Sequence, residues 1–422
     1  MHWIITNRLV VREDPADLNS REYVVTDVND ALPTFRVAKF EPMNTGELKN
    51  GQSIDETKRM LDHRVEFLPD LKTRDYLDPV RSVDERAASA QMFRAIYGKM
   101  IEATRSQPRS NIENREASVK GDVLFFMHGF NYSWDDALIN LQALHNVYVE
   151  NPLSPISQIV YFTWPSYGSL ARYPSDQAIA QPSGVMLGRF WGKTVGFFQR
   201  HFKRENGERQ PFCDRKIHLA AHSMGNQVLE YFMAAIIRMR FMNLSLFGEV
   251  LLLHADAAWD ALETGKPLSY LPEYSDRIHI YNHHSDDALL VSELTKNSEK
   301  RLGRHGPRDL EKIPPRSLVV DCTANIPQDQ SAQYNEDDPM TASMASILGE
   351  GGDDVLSTRE RMFNHWGYLQ RRSQIEDITR VLRGESASAI RTRQQKADRL
   401  FSLTKPSQGR PQKPYTPAPP DR

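Results

Sequence analysis

The stretch that decides the fold is residues 216–232, KIHLAAHSMGNQVLEYF. Its first part is a continuous apolar run typical of a buried strand, and its second part has the spacing of an amphipathic helix. Ser223 lies between them, with the small residues Ala221 and Gly225 two positions before and two after it. Larger side chains would collide in so tight a turn, so the pattern predicts a strand–turn–helix elbow that exposes the Ser223 hydroxyl as a nucleophile. The alternative, in which Ser223 only caps the helix, fits this context less well.

The segment 122–137, DVLFFMHGFNYSWDDA, contains the second motif. It predicts an apolar strand that runs into Gly129, and a glycine lets the backbone come close to a substrate. The N–H groups of Phe130 and of Met224, the residue after the serine, are the candidate donors to an oxyanion. We expect His128 to shape this loop by hydrogen bonding rather than to act as a general base.

A base and an acid are expected after the serine, because the acid and then the histidine follow the nucleophile in this motif class. His365 is the only histidine beyond the last predicted strand, and it is the candidate base. Asp286, near the end of a predicted strand, is the first candidate for the acid that orients the histidine. Asp256 is the second candidate. Asp287, which could instead cap a helix, is the third.

The stretch 163–173, TWPSYGSLARY, follows a strand of the same predicted sheet and should border the site. Trp164 and Tyr173 could line a substrate pocket. Equally, Trp164 could pack in the core while Pro165 and Ser166 form a turn. The expected pocket residues are His128, Gly129, Asn131, Trp164, Tyr173 and His222.

Apolar strands alternate with helical patterns through most of the chain. Strands are predicted over 3–11, 23–28, 35–40, 122–130, 156–166, 216–222, 249–256, 277–287 and 317–322, and helices over 84–104, 134–150, 183–202 and 226–242. This alternation predicts an α/β fold, a mostly parallel sheet covered by helices. The predicted organisation is an N-terminal extension of strands plus a helix (1–105), a catalytic domain (106–385) with a loop insert (323–358), and a C-terminal part (386–422) with a helix over 388–403 and a disordered proline-rich tail.

Composition and charge exclude several classes of protein. The 422 residues carry 53 Lys and Arg against 55 Asp and Glu, so the net charge of −2 argues against a nucleic-acid binder. Cys213 and Cys322 are too few for a disulfide scaffold, and they favour a reducing compartment. We find no metal-ligand or nucleotide-binding motif, and we therefore expect no cofactor. With no leader or membrane-spanning stretch in evidence, a cytoplasmic location is expected.

Three blocks taken together resemble a known family. FFMHGFNYSWDDAL, then VYFTWPSYGSLARYPSDQ, then HLAAHSMGNQVLEYF are similar to an uncharacterised, mainly bacterial family of α/β-hydrolase-fold proteins. The resemblance covers about 122–295 and implies an α/β-hydrolase sheet with a Ser-Asp-His triad. It places the nucleophile at Ser223, and an Asp just before ALLVS supports Asp286. Relatives tend to have a proline before the aspartate of LLLHAD, which leaves the role of Asp256 open.

These residues predict a serine hydrolase that cleaves an ester or related acyl bond through an acyl-enzyme. The expected substrate is a small-molecule or lipid-like acyl compound, and esterase, thioesterase, amidase and acyltransferase chemistry all remain open. The alternative is a non-catalytic hydrolase-fold interaction scaffold. The proline-rich tail is the candidate segment for binding a protein partner.

Overall fold

The computed structural model describes residues 1–12, 23–25, 32, 34–44, 59–68, 87–107, 118–166, 173–202, 213–239, 247–295, 299–324 and 364–404. The predicted loop insert lies outside the described residues except for 323 and 324. The proline-rich tail beyond residue 404 also lies outside them. The predicted disorder of the tail and its predicted partner therefore stay predictions.

The strands of the described residues form one large sheet and one small one. They are β1 (His2–Thr6), β2 (Val10–Arg12), β3 (Tyr23–Val25), β4 (Arg36–Phe40), β5 (Val65–Phe67), β6 (Asp122–Met127), β7 (Ile156–Thr163), β8 (Ile217–His222), β9 (Phe247–Leu253), β10 (Ser275–Asn282), β11 (Ser317–Asp321), β12 (Arg393–Ala397) and β13 (Leu400–Leu403). The large sheet has eleven strands in the order β12-β13-β11-β10-β9-β8-β6-β7-β1-β4-β5, and β2 pairs with β3 separately. Every pair from β13 to β1 is parallel, and antiparallel pairs occur only at the two ends. The predicted fold class, α/β with a mostly parallel sheet, is confirmed.

Helices cover both faces of this sheet. They are α1 (Ala88–Ser106), α2 (Trp134–Leu144), α3 (Tyr173–Phe202), α4 (Gly225–Arg238), α5 (Asp287–Thr295), α6 (Leu302–His305), α7 (Gly367–Gln370) and α8 (Arg372–Leu382), with a π-helical turn at His145–Val149 and a 3₁₀ helix at Pro267–Glu273. One apolar cluster joins a sheet face to α1, α3 and α4, and a second joins the opposite face to α2 and α8. Alternation along β6 explains this division: Val123 and Met127 belong to the first cluster, Leu124 and Phe126 to the second.

Three of the five N-terminal strands, β1, β4 and β5, belong to the large sheet. β1 pairs parallel to β7, with Ile4 opposite Tyr161, and β4 and β5 continue the sheet beyond β1. Helix α1 packs its apolar stripe, which includes Met92, Ile96 and Met100, into the same core as the central strands. Residues 1–105 therefore contribute to the core of the sheet that carries the predicted catalytic residues.

Two helix predictions differ from the structure. The helix predicted over 388–403 is wrong, because this region forms the hairpin β12–β13 at the end of the sheet. Its helix-forming composition is overridden by edge pairing, and β13 has the period of a strand, with Phe401 and Leu403 buried. The helix predicted over 183–202 in fact begins at Tyr173 and contains Pro182, a residue that usually interrupts helices.

The strand order identifies one special position in the sheet. The chain passes from β6 to β7 on one side of β6, and then crosses back to β8 on the other side. In open parallel sheets, ligands bind at the carboxyl ends of the strands where the order reverses. Both the elbow serine and the Gly129 loop follow strands that meet at this reversal.

No helix of the described residues is long and apolar enough to cross a membrane.

Candidate active site

The elbow at Ser223 has the strained geometry that the sequence predicts. Ser223 has φ of 52°, a left-handed conformation that costs a non-glycine residue about 1–2 kcal/mol. Its N–H donates to Leu253 O at 3.0 Å, so the turn is anchored to β9. A Cβ on Gly225 would lie 2.6 Å from His128 O, which explains why this position must be small. The Ser223 hydroxyl has no hydrogen-bond partner among the described residues.

The loop after β6 comes very close to the elbow. A Cβ on Gly129 would lie 2.7 Å from the Cβ of Ser223, so only a glycine allows this approach. Met224 begins the first turn of α4, and no described group accepts a hydrogen bond from its N–H. The N–H of Phe130 is likewise unengaged within the described part of the chain. Two free backbone donors beside the serine are what an oxyanion hole requires.

His128 supports this loop from within. Its side chain is fully buried, Trp164 N–H donates to its Nε2 at 3.2 Å, and its Nδ1 lies 2.7 Å from Gly129 O. Burial lowers the pKa of His128 to about 3, with a smaller contribution from Arg8. The ring is therefore neutral at pH 7, with its hydrogen on Nδ1 donating to Gly129. This geometry agrees with the loop-shaping role expected for His128.

Asp286 and His365 meet at the carboxyl edge of the sheet. His365 Nδ1 lies 2.8 Å from Asp286 Oδ2, and Leu289 N–H donates to Asp286 Oδ1 at 3.1 Å. Burial alone would raise the pKa of Asp286, but His365 and His254 outweigh it and hold the pKa below its usual range. Asp286 is thus a buried carboxylate. The Nε2 of His365 has no hydrogen-bond partner in the described structure.

Asp256, the second candidate acid, serves other groups. Its carboxylate accepts hydrogen bonds from Tyr173 Oη and, at 2.8 Å, from Ser292 Oγ, and Arg301 Nε lies 3.6 Å away. Its backbone N–H donates to Ser223 O at 3.1 Å. Asp256 therefore buttresses the elbow through its backbone, while Asp286 holds the histidine. Asp287, the third candidate, begins helix α5.

His222 lies against His365. Its Nε2 lies 2.9 Å from His365 O, and the two rings are 4.6 Å apart. Burial lowers the pKa of His222 well below its usual value, so the neutral ring donates its Nε2 hydrogen to this carbonyl. Its buried Nδ1 has no partner among the described residues. His222 thus fixes the backbone of His365.

The remaining pocket candidates divide into packing and lining residues. Trp164 is fully buried and stacks on the His128 ring at 5.5 Å, so it packs rather than lines. Asn131 adopts φ of 66°, and its N–H donates to Ser166 Oγ at 2.7 Å, which stabilises the loop after β6. The Tyr173 ring lies 5.4 Å from the Phe130 ring, beside the candidate oxyanion donors.

Two residues near the site were missed from the sequence. His254, at the end of β9, lies 3.3 Å from Asp286 through its Nδ1. Arg8, after β1, donates to Thr163 Oγ1 at 3.0 Å and to Tyr132 O at 2.7 Å, next to the His128 loop. The available signal for His254 was its position directly after an apolar strand, the same position that singled out Ser223. Nothing in the sequence connects Arg8 with the site, because β1 reaches β7 only through tertiary pairing.

The fold and this arrangement define an α/β-hydrolase. The family model described as alpha/beta hydrolase of unknown function (DUF900) matches residues 104–317, half of the chain, and the protein belongs to this family. The predicted resemblance to an uncharacterised α/β-hydrolase family is thereby confirmed. Ser223 and Asp286 lie inside the matched range, and His365 lies beyond it. No curated protein matches the chain.

Proposed function

We propose that the protein is a serine hydrolase that cleaves an ester or related acyl bond. Ser223 is the nucleophile, His365 the general base and then acid, and Asp286 the residue that orients the histidine. The observation that carries the proposal is the His365–Asp286 contact of 2.8 Å, combined with an Nε2 on the same ring that has no partner among the described residues. A histidine held at one nitrogen and free at the other is suited to proton transfer.

The proposed reaction begins at Ser223. Ser223 Oγ attacks the acyl carbon while His365 Nε2 takes the hydroxyl proton, and the ion pair with Asp286 stabilises the imidazolium. The tetrahedral oxyanion accepts hydrogen bonds from Phe130 N–H and Met224 N–H. His365 returns the proton to the departing oxygen, nitrogen or sulfur, which leaves an acyl ester on Ser223. Water, deprotonated by His365, then hydrolyses that ester.

A small-molecule or lipid-like acyl compound is the proposed substrate class. The proposal also includes a cytoplasmic location. The free thiols of Cys213 and Cys322 support a reducing compartment.

Labelling with a fluorophosphonate tests the proposal directly, because this reagent phosphonylates only activated serines. Wild type should label, whereas Ser223→Ala and His365→Gln should each reduce the labelling rate by about 10³-fold or more. Ser285→Ala and His284→Gln are the matched controls, since both residues are exposed near the site and neither belongs to the proposed machinery. These control variants should label like wild type.

Absence of labelling in a folded wild type would contradict the proposal. It would favour the alternative interpretation, a hydrolase-fold interaction scaffold. Labelling that persists in Ser223→Ala would show that another serine reacts and would equally refute the assignment.

A further inference from the structure

The segment that follows β7 holds the loop that follows β6 at two points. At the first point, Trp164 donates its backbone N–H to His128 Nε2 and its indole N–H to His128 O, both at 3.2 Å. At the second point, the N–H groups of Asn131 and Tyr132 donate to Ser166 Oγ at 2.7 Å and 3.3 Å. The two points lie on either side of the residue whose N–H is a proposed oxyanion donor.

The Ser166 hydroxyl is itself fixed in one orientation. A hydroxyl can accept two hydrogen bonds and donate one. Because two backbone N–H groups already donate to Ser166 Oγ, its own hydrogen is directed at Asp176 Oδ2, which lies 2.6 Å away. Asp176 is completely buried in the first turn of α3, where the helix dipole favours a negative charge. All three hydrogen-bonding positions of the hydroxyl are therefore used.

The loop after β6 needs this acceptor because of its backbone conformation. Asn131 has φ of 66°, a left-handed conformation that asparagine adopts more often than most residues but that remains uncommon. Both Asn131 and Tyr132 are buried, so their N–H groups each require a partner. Ser166 supplies that partner to both of them. The turn after Phe130 therefore depends on a single hydroxyl from a neighbouring segment.

These contacts also determine the direction of the Phe130 N–H. In a trans peptide, the C=O of Gly129 and the N–H of Phe130 lie in one plane and point in opposite directions. His128 Nδ1 holds this C=O at 2.7 Å, and Ser166 Oγ holds the next N–H along the chain. With the peptide held on one side and the following residue on the other, the Phe130 N–H has a fixed direction.

We propose that Ser166 and Asp176 are positioning residues that keep the Phe130 N–H directed at the oxyanion of the reaction. This inference rests on the proposed function and adds two side chains outside the triad to the support of its oxyanion hole. Asp176 acts through Ser166, and Ser166 acts through the backbone of the loop. A donor whose direction is fixed in advance stabilises the transition state because it needs no reorganisation when the oxyanion forms.

The rate of fluorophosphonate labelling of the full chain tests the role of Ser166. Ser166→Ala leaves two buried N–H groups without an acceptor and lets the loop turn. Labelling should slow by about 10-fold to 100-fold, less than the 10²–10³-fold that loss of a whole oxyanion donor costs. Ser166→Thr keeps the hydroxyl and should label at nearly the wild-type rate.

A second pair of variants tests Asp176. Asp176→Ala leaves the Ser166 hydrogen without its acceptor, so labelling should slow by about threefold to tenfold, the effect of one hydrogen bond to a charged group. In Asp176→Asn the amide oxygen still accepts that hydrogen, and most of the rate should return. Recovery in the two conservative variants, Ser166→Thr and Asp176→Asn, would show that the hydrogen bonds matter.

Ser133→Ala is the matched control, because Ser133 has the same chemistry close to the same loop. Its hydroxyl accepts the N–H of Asp136 at 3.1 Å and donates to Asp136 Oδ2 at 2.5 Å. This pair caps helix α2 and makes no contact with Ser166. Ser133→Ala should therefore lower the free energy of unfolding and still label like wild type.

The phosphorus NMR resonance of the labelled serine is a readout that a loss of stability alone does not move. The phosphoryl oxygen of the adduct takes the place of the oxyanion, so its resonance responds to the N–H groups around it. It should shift in Ser166→Ala and Asp176→Ala and keep the wild-type position in Ser133→Ala.

A folded Ser166→Ala with the wild-type rate and the wild-type resonance would overturn the inference. If Ser166→Ala does not fold, the same result in Asp176→Ala would overturn it. A wild type that does not label would instead refute the proposed function.

Discussion

The molecule buries histidine–carboxylate pairs in two places, and their hydrogen bonds differ in one respect. Away from the carboxyl edge, within the central strands β9 and β10, His279 Nε2 lies 3.0 Å from Glu249, and its Nδ1 lies 3.4 Å from Arg393. At the carboxyl edge, His365 Nδ1 lies 2.8 Å from Asp286, and its Nε2 has no partner in the described structure. The first imidazole has both nitrogens engaged, whereas the second has one nitrogen available.

His218 follows the pattern of His279. Its Nε2 lies 3.1 Å from Asp122 Oδ2, and its Nδ1 accepts the N–H of Glu249 at 3.1 Å. These histidines connect β6, β8, β9 and β10 across the core, where each polar atom must be paired to offset its burial. A buried pair of this type is a structural connection. The two regions therefore differ in that both ring nitrogens are engaged at His218 and His279, whereas Nε2 of His365 is left available at the proposed site.

The largest expected effect concerns Asp377, which lies in the region of His279 because Arg393 contacts both side chains. Its carboxylate accepts from Arg393 Nη2 and Tyr281 Oη, both at 2.7 Å, and from Thr392 Oγ1 at 3.0 Å. Asp377→Asn leaves a buried guanidinium without its charge partner, so the free energy of unfolding should fall by about 3–5 kcal/mol. Urea unfolding measures this loss. The folded fraction should still label with fluorophosphonate at the wild-type rate.

A milder substitution covers the case in which Asp377→Asn does not fold. Thr392→Val removes one hydrogen bond to the same carboxylate and should cost about 1.5–3 kcal/mol. His365→Gln is the opposite test, because it should abolish labelling while leaving the contacts of Asp377 in place. If Thr392→Val or Asp377→Asn slowed labelling of the folded protein, the separation between the two regions would be incorrect.

A smaller effect concerns the charge state of Glu249. Burial would raise the pKa of Glu249, but His279 and Arg277 outweigh it and lower the pKa to about 2. Because the folded pKa is below the unfolded value, this group stabilises the fold above about pH 4.5 and the contribution is lost as the pH falls toward 2. A lowering from 4.5 to about 2 corresponds to about 3 kcal/mol.

Urea unfolding of Glu249→Gln at a series of pH values tests this contribution. Its deficit relative to wild type should be constant above about pH 5 and should shrink below about pH 4. Glu66→Gln is the control, since Glu66 pairs with Lys39 at the exposed surface and such pairs are worth at most about 1 kcal/mol. A Glu249→Gln deficit independent of pH would mean that Glu249 is not held ionised by its partners.

The sequence was informative where a local pattern determines the structure. The elbow around Ser223 and the glycine at 129 could be predicted because a tight turn and a close backbone approach each demand small residues. Asp286 and His365 were predicted together from the order in which nucleophile, acid and histidine follow one another along the chain. Sequence order left Asp256 and Asp286 both open, and only the contacts separate them.

The rest depends on tertiary pairing that no local pattern contains. The segment 388–403 has helix-forming residues, yet β13 pairs with β11 and forms a strand. The position of β1 beside β7, which brings Arg8 to the loop of His128, is likewise a property of the whole sheet. The positive φ of His254 follows from packing against Gly303, a residue distant in sequence.

The smallest predicted effect concerns Arg8, through which the N-terminal region contacts the carboxyl edge of the sheet. Arg8 donates to Thr163 Oγ1, which lies 3.1 Å from His128 Nε2, and His128 in turn holds Gly129 O at 2.7 Å. Arg8→Met breaks this chain three steps from the serine, so labelling should slow by about threefold to tenfold, the effect of one charge-assisted hydrogen bond acting indirectly.

Lys39→Met is the matched control for Arg8→Met, because it removes an exposed N-terminal cation and should leave the labelling rate unchanged. Arg8→Met should also raise the pKa of His128 from about 3, since Arg8 contributes to its lowering, although burial remains the larger cause. A normal rate in Arg8→Met would limit the N-terminal strands to packing. A reduced rate would show that residues outside the matched family range help to build the proposed oxyanion loop, whereas His218 and His279 are expected to affect stability alone.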